Sequence, residues 1–152
     1  MSFTNKMIDN DIRNNSAWNH RYYIFYETKK SLDSDAIQEE VNFCLQKIRL
    51  APNNESAWNY LRGILQEVGL SKNEMVNEYC EEMLNNDTAN CHLIQFILDA
   101  IEESLRESFK SDETLVRKAV DLTIKLEKEI DPLRKEYWIF IRKSFLEEFS
   151  NE

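Results

Sequence analysis

Ser16-Ala17-Trp18-Asn19 returns as Ser56-Ala57-Trp58-Asn59, an offset of 40 residues. Each copy follows a turn-forming run, Arg13-Asn14-Asn15 in the first and Asn53-Asn54-Glu55 in the second. Asn and Ser are strong N-cap residues, because a short polar side chain accepts a hydrogen bond from the first free backbone N–H groups of a helix. Each copy therefore reads as a turn, an N-cap and a helix with Trp in its first turn. A repeat period of roughly 20–50 residues marks a stacked array, in which one supersecondary unit recurs and buries its apolar face against the next.

Working outward, apolar residues recur at helical spacing along almost the whole chain. A helix over 16–30 carries Trp18, Tyr22, Phe25 and Tyr26, with Lys29 and Lys30 in its last turn. After a turn at Ser31-Leu32-Asp33, a helix over 35–50 carries Ile37, Val41, Cys44, Leu45 and Ile48, and Pro52 ends it. The next begins near Glu55 with Trp58, Leu61, Ile64, Leu65 and Val68, and Gly69 is its expected stop. Ser71 and Glu74 have capping-box spacing ahead of Met75, Val76, Tyr79, Met83 and Leu84. After the turn Asn85-Asn86-Asp87-Thr88, a helix over 89–108 carries Leu93, Phe96, Ile97, Ala100, Ile101 and Leu105. A sixth follows Ser111-Asp112 with Leu115, Val116, Ala119, Leu122 and Leu126. Pro132 suits the first turn of a seventh, which holds Leu133, Tyr137, Trp138, Ile141, Phe145 and Leu146. Residues 3–10 read as the end of a helix. Lys135–Arg142 is a degenerate third copy of the repeat, and Asn90-Cys91-His92-Leu93 a weaker echo.

Composition sets the class. The 152 residues include only 2 Gly and 2 Pro, too little turn chemistry for an all-β fold. The formal net charge of -9 argues against a general nucleic-acid binder, which needs a basic face for phosphates. Three cysteines, Cys44, Cys80 and Cys91, form no C-x-x-C pair and read as free thiols of a reducing compartment. No apolar signal segment opens the chain, and no run reaches the ~18 apolar residues of a membrane span. A cytoplasmic location is the expectation. The reading is an all-α, single helical-repeat domain over residues 1–152.

Few residues carry chemistry. Trp18, Trp58 and Trp138 read as core anchors between hairpins. Asn19 and Asn59 recur at one register, so a hydrogen-bonding role to the adjacent turn or to a partner is expected. His20 and His92 lack partners at metal-ligand spacing, and adjacent helical side chains such as Cys91 and His92 point apart. With glycine only at positions 63 and 69, no G-x-G-x-x-G phosphate loop is possible. Glu39-Glu40, Glu81-Glu82 and Glu147-Glu148 read as solvated faces. Catalytic, cofactor-binding and metal-ligating residues are expected to be absent from this chain.

The turn followed by Ala-Trp-Asn resembles the repeat of protein prenyltransferase alpha subunits, which places Asn four residues before the Trp and Arg three after it. Asn14, Trp18 and Arg21 fit in full. In the second copy Asn54 and Trp58 fit, but Leu61 takes the Arg position and Arg62 lies one further on. Pro52–Leu65 resembles most the alpha subunit shared by protein farnesyltransferase and type I geranylgeranyltransferase. Asp11–Asn19, Gly69–Lys72 and Arg134–Trp138 support the same family.

The resemblance implies a right-handed superhelical stack of antiparallel helix hairpins, here the C-terminal part of a longer array, wrapped around a separate beta subunit. That subunit carries the zinc ligands and most of the isoprenoid pocket, so zinc and magnesium are expected with it and no cofactor in this chain. The Lys and Tyr-His residues that the family sets near the diphosphate belong to earlier repeats and have no counterpart here. The implied role is support of a beta subunit that moves an isoprenoid from its diphosphate to a C-terminal CaaX cysteine of a protein substrate, this chain alone being inactive. The alternative is a non-enzymatic helical-repeat adaptor, and the Rab-specific transferase alpha subunit fits Asn54–Leu65 less well. A polar stripe of Asn19, His20, Arg21, Asn59, Tyr60 and Arg62 is the expected partner interface. Nucleic acid is not an expected partner.

Overall fold

The computed structural model describes residues 1–28, 33–86, 88–108 and 112–150. The helices are α1 (Ser2–Asn10), α2 (Asn15–Glu27), α3 (Ser34–Leu50), α4 (Glu55–Leu65), α5 (Glu74–Asn85), α6 (Cys91–Glu107), α7 (Glu113–Lys125) and α8 (Lys135–Phe149). A π-helical turn, Leu126–Ile130, and a 3₁₀ turn, Pro132–Arg134, join α7 to α8. No strand occurs among the described residues. The expectations for Lys29, Lys30, Ser31, Leu32, Asp87 and Ser111 fall outside them.

Alternate helices form two layers. In one, α2 packs on α4 and α4 on α6; in the other, α3 packs on α5. The hairpins α1/α2 and α3/α4 close through turns of one design: Asn14 N–H donates to Asp11 C=O, and Asn54 N–H to Ala51 C=O, both at 3.0 Å. Arg134 N–H repeats the bond to Asp131 C=O at 3.1 Å ahead of α8. Asn14, Asn54 and Asn90 are the N-caps of α2, α4 and α6. Four residues after each cap lies a buried anchor: Trp18, Trp58 and Ile94. Trp138 stands in the same place after Arg134, the N-cap of α8. The weak echo at 90–93 is thus a true repeat whose Trp is replaced by Ile.

The apolar stripes form one core that runs from Ile8 to Phe145. Three expectations are corrected. Ser71 does not cap α5; Asn73 does, accepting from Val76 N–H at 3.2 Å, because the turn at Gly69 takes up residues 69–72. Gly69 itself holds φ +104°, a left-handed conformation costly for other residues. Leu133 is 98% exposed, and Tyr137 and Leu146 are exposed too, because α7 meets only the Trp138 and Phe145 side of α8. Glu40 is buried, unlike its neighbour Glu39.

Gly63 sets the spacing of α2 on α4. A Cβ there would stand 2.4 Å from Cε2 of Tyr22, and Tyr26 Oη donates to the Gly63 carbonyl at 3.0 Å. Tyr22 is itself held against Tyr26, ring centroids 4.6 Å apart. Gly63→Val is therefore expected to destabilise the chain by about 1–3 kcal/mol through overpacking, despite some gain in helix propensity. Urea denaturation checks it, and a midpoint at or above wild type would refute the close approach.

Candidate interaction surfaces of the array

Each Trp is locked from both sides. Trp18 Nε1 donates to Ile12 C=O and Trp58 Nε1 to Pro52 C=O, both at 2.8 Å and both six residues back into the turn. Trp138 Nε1 uses the Asp131 carboxylate at 3.0 Å instead. The following hairpin roofs the ring with one aromatic from each of its helices. Trp18 is met by Phe43 of α3 and Tyr60 of α4, at centroid distances of 6.1 and 5.3 Å. Trp58 is met by Tyr79 of α5 and Phe96 of α6, at 6.5 and 5.8 Å. From the second hairpin to the third the N-cap moves from Asn54 to Asn90, and Phe43 and Tyr60 shift by the same interval onto Tyr79 and Phe96.

The polar ties between hairpins come from residues other than Asn19 and Asn59. Asn54 Nδ2 donates to Ile12 C=O at 2.7 Å, the carbonyl that Trp18 also uses, and Ser56 Oγ donates to Asn15 Oδ1 at 3.1 Å. Asn19 and Asn59 are exposed. Ion pairs cross the outer layer, Lys47–Asp9 at 2.6 Å and Arg49–Glu82 at 2.8 Å among them. Exposed pairs of this kind contribute at most about 1 kcal/mol each.

The expected six-residue stripe divides. Asn19, His20 and Asn59 are exposed, and Arg62 is partly exposed with its Nε 2.9 Å from Asp99 Oδ2. Arg21 and Tyr60 are buried, 3% and 3% exposed, so neither faces solvent. Arg21 meets both oxygens of Glu40, Nε to Oε2 at 2.8 Å and Nη2 to Oε1 at 3.0 Å. Its Nη1 reaches Asn5 and Thr4, and its guanidinium lies 3.7 Å over Phe43. Tyr60 Oη donates to Glu40 Oε2 at 2.6 Å. The physical reason is register. The position three after the anchor faces inward in the first three repeats, as Arg21, Leu61 and Ile97. A charge placed there needs a buried counter-ion, which Glu40 supplies. Glu40 had a sequence signal: it stands three after Ile37 and four before Cys44, on the apolar stripe of α3.

Burial, followed by the Glu40 carboxylate, pushes the Tyr60 phenol well above its ordinary range, and burial pushes Tyr79 up to about 12. An acid whose folded pKa is raised gives stability that is present below the unfolded value and lost as pH rises above it. Stability is therefore expected to fall above about pH 10, the ordinary tyrosine value. Ultraviolet titration should show Tyr60 and Tyr79 ionising only with loss of helicity. Ionisation of all 6 tyrosines in one step with the helical signal intact would refute it.

Asn59 and Arg62 also line a groove of about 360 Å³. His92, Gln95 and Asp99 of α6 and Tyr137, Trp138 and Ile141 of α8 complete much of its wall. It opens because α8 does not stack on α6 as α6 does on α4. Burial holds the His92 imidazole below its ordinary value, the Glu55 carboxylate opposing and the Arg62 and Arg134 guanidiniums reinforcing the shift. Amide, guanidinium and carboxylate groups over an aromatic floor are contact chemistry for a polypeptide. They do not assemble a nucleophile with its base.

No cluster of three or more His, Cys, Asp or Glu that could hold an ion occurs among the described residues. Cys44 is fully buried and donates to Ala57 C=O at 3.1 Å, and burial pushes its thiol up, as it pushes Cys80 up to about 12. A thiol ligand to zinc must be a thiolate, so these two are not suited to hold that metal. No helix of the described residues is long and apolar enough to cross a membrane.

The model of the protein prenyltransferase alpha subunit repeat matches residues 1–28 and 37–68, the hairpins of Trp18 and Trp58. The chain is 30% identical over 142 residues to the Dictyostelium discoideum protein farnesyltransferase/geranylgeranyltransferase type-1 subunit alpha, covering 92% of this chain and 42% of that protein. It is 30% identical over 160 residues to the Pisum sativum protein of the same name, covering 96% and 48%. This chain carries the protein prenyltransferase alpha subunit repeat. It spans less than half the length of these two relatives, in their C-terminal portion. The fold agrees. A chain in the structure of Candida albicans protein geranylgeranyltransferase-I complexed with GGPP superposes with a TM-score of 0.68 at 24% identity, over 95% of this chain and 45% of that one. The hairpin stack is accordingly an alpha-alpha superhelix. Within it, the family's Arg position is an internal one at Arg21, and the displaced Arg62 is the accessible basic residue of the second repeat.

Proposed function

We propose that this chain is the non-catalytic, C-terminal part of the alpha subunit of a heterodimeric protein farnesyltransferase/geranylgeranyltransferase type I. It supports a beta subunit in the transfer of an isoprenoid to a C-terminal CaaX cysteine, in the cytoplasm, with zinc and magnesium held by the beta subunit. The observation that carries this reading is the match to alpha subunits along more than nine-tenths of the chain. Partner contact is assigned to the accessible members of the stripe, Asn19, His20, Asn59 and Arg62, the last two at the groove with Tyr137.

Co-expression with the beta subunit of the Dictyostelium enzyme tests it. The expected result is a complex of the chain with that beta subunit that co-purifies. Asn59→Arg with Arg62→Glu should weaken assembly at least tenfold while the helical signal of the chain is unchanged. No complex would overturn the reading in favour of an adaptor. Unchanged assembly of the double variant would remove the groove from the interface.

A further inference from the structure

On α4 and α6 the residues two, six and nine beyond the N-cap face the preceding helix of their layer. On α4, Ser56 binds Asn15, Tyr60 covers Trp18 and Gly63 lies against Tyr22. On α6, Phe96 covers Trp58 and Asp99 pairs with Arg62, and His92 belongs to the same ridge. Counted from Arg134, the same three positions of α8 are Glu136, Phe140 and Lys143. All three are exposed, Phe140 by 64%. The turn through Leu126–Ile130 sets α8 apart from α6, so this ridge has no helix against it. Leu133, 98% exposed just ahead of α8, adds to the uncovered apolar surface.

The charges of the ridge decide what fits it. Glu136 and Lys143 lie two turns apart, about 10.5 Å along the helix, with Phe140 between them. Neither has an ion partner among the described residues. With exposed Lys135 and Glu147 beside them the charges of this side cancel, in a chain of net charge -9. A partner of one sign therefore gains one contact and is repelled at the other. A copy of the ridge laid antiparallel across it matches both. A two-fold axis beside Phe140 sets each Glu136 against Lys143 of the other copy and brings the two Phe140 rings together, out of water. Self-complementarity of this kind is what a two-fold interface requires.

We infer that the Glu136, Phe140 and Lys143 ridge of α8 is a docking surface for a second copy of this chain, the two α8 helices packing antiparallel about a two-fold axis. The ridge is distinct from the groove at Asn59 and Arg62, and the inference does not rest on the presence of a beta subunit.

Sedimentation equilibrium of the chain tests it, at physiological ionic strength, where repulsion between the acidic copies is screened beyond about 8 Å. A reversible dimer in the micromolar range is expected. Phe140→Asp, at an exposed position, should weaken it at least tenfold without changing the circular dichroism of the chain. Glu136→Lys and Lys143→Glu should each weaken it at least fivefold, because each sets like charges together at both ends of the contact. The variant with both changes should recover the wild-type affinity within twofold. An equimolar mixture of the two single variants should dimerise as well as wild type. A chain that stays monomeric at millimolar concentration overturns the inference, as does a dimer that Phe140→Asp leaves intact or a charge effect that the double variant does not restore. A monomeric chain whose complex with the Dictyostelium beta subunit is weakened by Phe140→Asp would assign the ridge to that subunit and overturn it too.

Discussion

Trp58→Ala is expected to lower stability by about 3–5 kcal/mol, as truncation of a large aromatic in a packed core does. The ring is 1% exposed and lies between the second and third hairpins. Its removal strips the apolar faces of Tyr79 and Phe96, whose centroids stand 6.5 and 5.8 Å away, and frees the Pro52 carbonyl. Repeat arrays draw stability from neighbour interfaces, so the loss falls where the two halves of the stack join. For a chain of this size the thermal midpoint should drop by roughly 6–20 °C. Tyr137→Ala is the control: that ring is 47% exposed and its loss should cost less than about 0.5 kcal/mol. Chemical denaturation of both variants reads the difference. Equal midpoints for Trp58→Ala and wild type would show that the repeat register does not organise the core.

The fold was legible because repetition is a pattern of spacing, and spacing survives in a bare sequence. Trp18, Trp58 and Trp138 all proved buried, and the stripe Ile37, Val41, Cys44, Leu45 and Ile48 faces the core throughout. What was not legible depends on phase between helices. Leu133 and Tyr137 have the right residue type for a core, but the turn at Leu126–Ile130 rotates α8 so that they face out. Conversely, Arg21 and Tyr60 look like surface residues until α1, α3 and α4 close around them. The interface stripe mixed inward and outward positions because Arg21 and Arg62, though both near a Trp, stand three and four residues beyond it. A single residue turns a helical side chain by 100°, enough to carry it from core to surface. The groove at Asn59 and Arg62 was invisible for a related reason: it exists only because α8 fails to stack on α6, which no local spacing records.

Breaking the Arg21–Glu40 pair should cost as much as losing Trp58. Both side chains are nearly sealed, 4% and 8% exposed, and a buried ion left without its partner costs about 3–5 kcal/mol. Glu40→Ala strands the Arg21 guanidinium and also deprives Tyr60 Oη of its acceptor, 2.6 Å away. Reversing Arg21 to Glu would set two carboxylates against each other, so loss of assembly in such a variant reports unfolding and says nothing about an interface. The same site one repeat later shows what the pair replaces. Leu61 stands at the register of Arg21 and Val76 at that of Glu40, and both are fully buried. The array thus accepts an apolar pair in this place. Replacing a buried ion pair by well-packed apolar residues is often neutral or stabilising. Arg21→Leu with Glu40→Val, together with Tyr60→Phe to remove the orphaned hydroxyl, should therefore recover most of the stability that either single charge deletion loses. Urea denaturation of the single, double and triple variants measures the coupling directly. Additive losses, with the triple variant the least stable, would mean that the ion pair holds α1, α2 and α3 together in a way that Leu61 and Val76 do not reproduce.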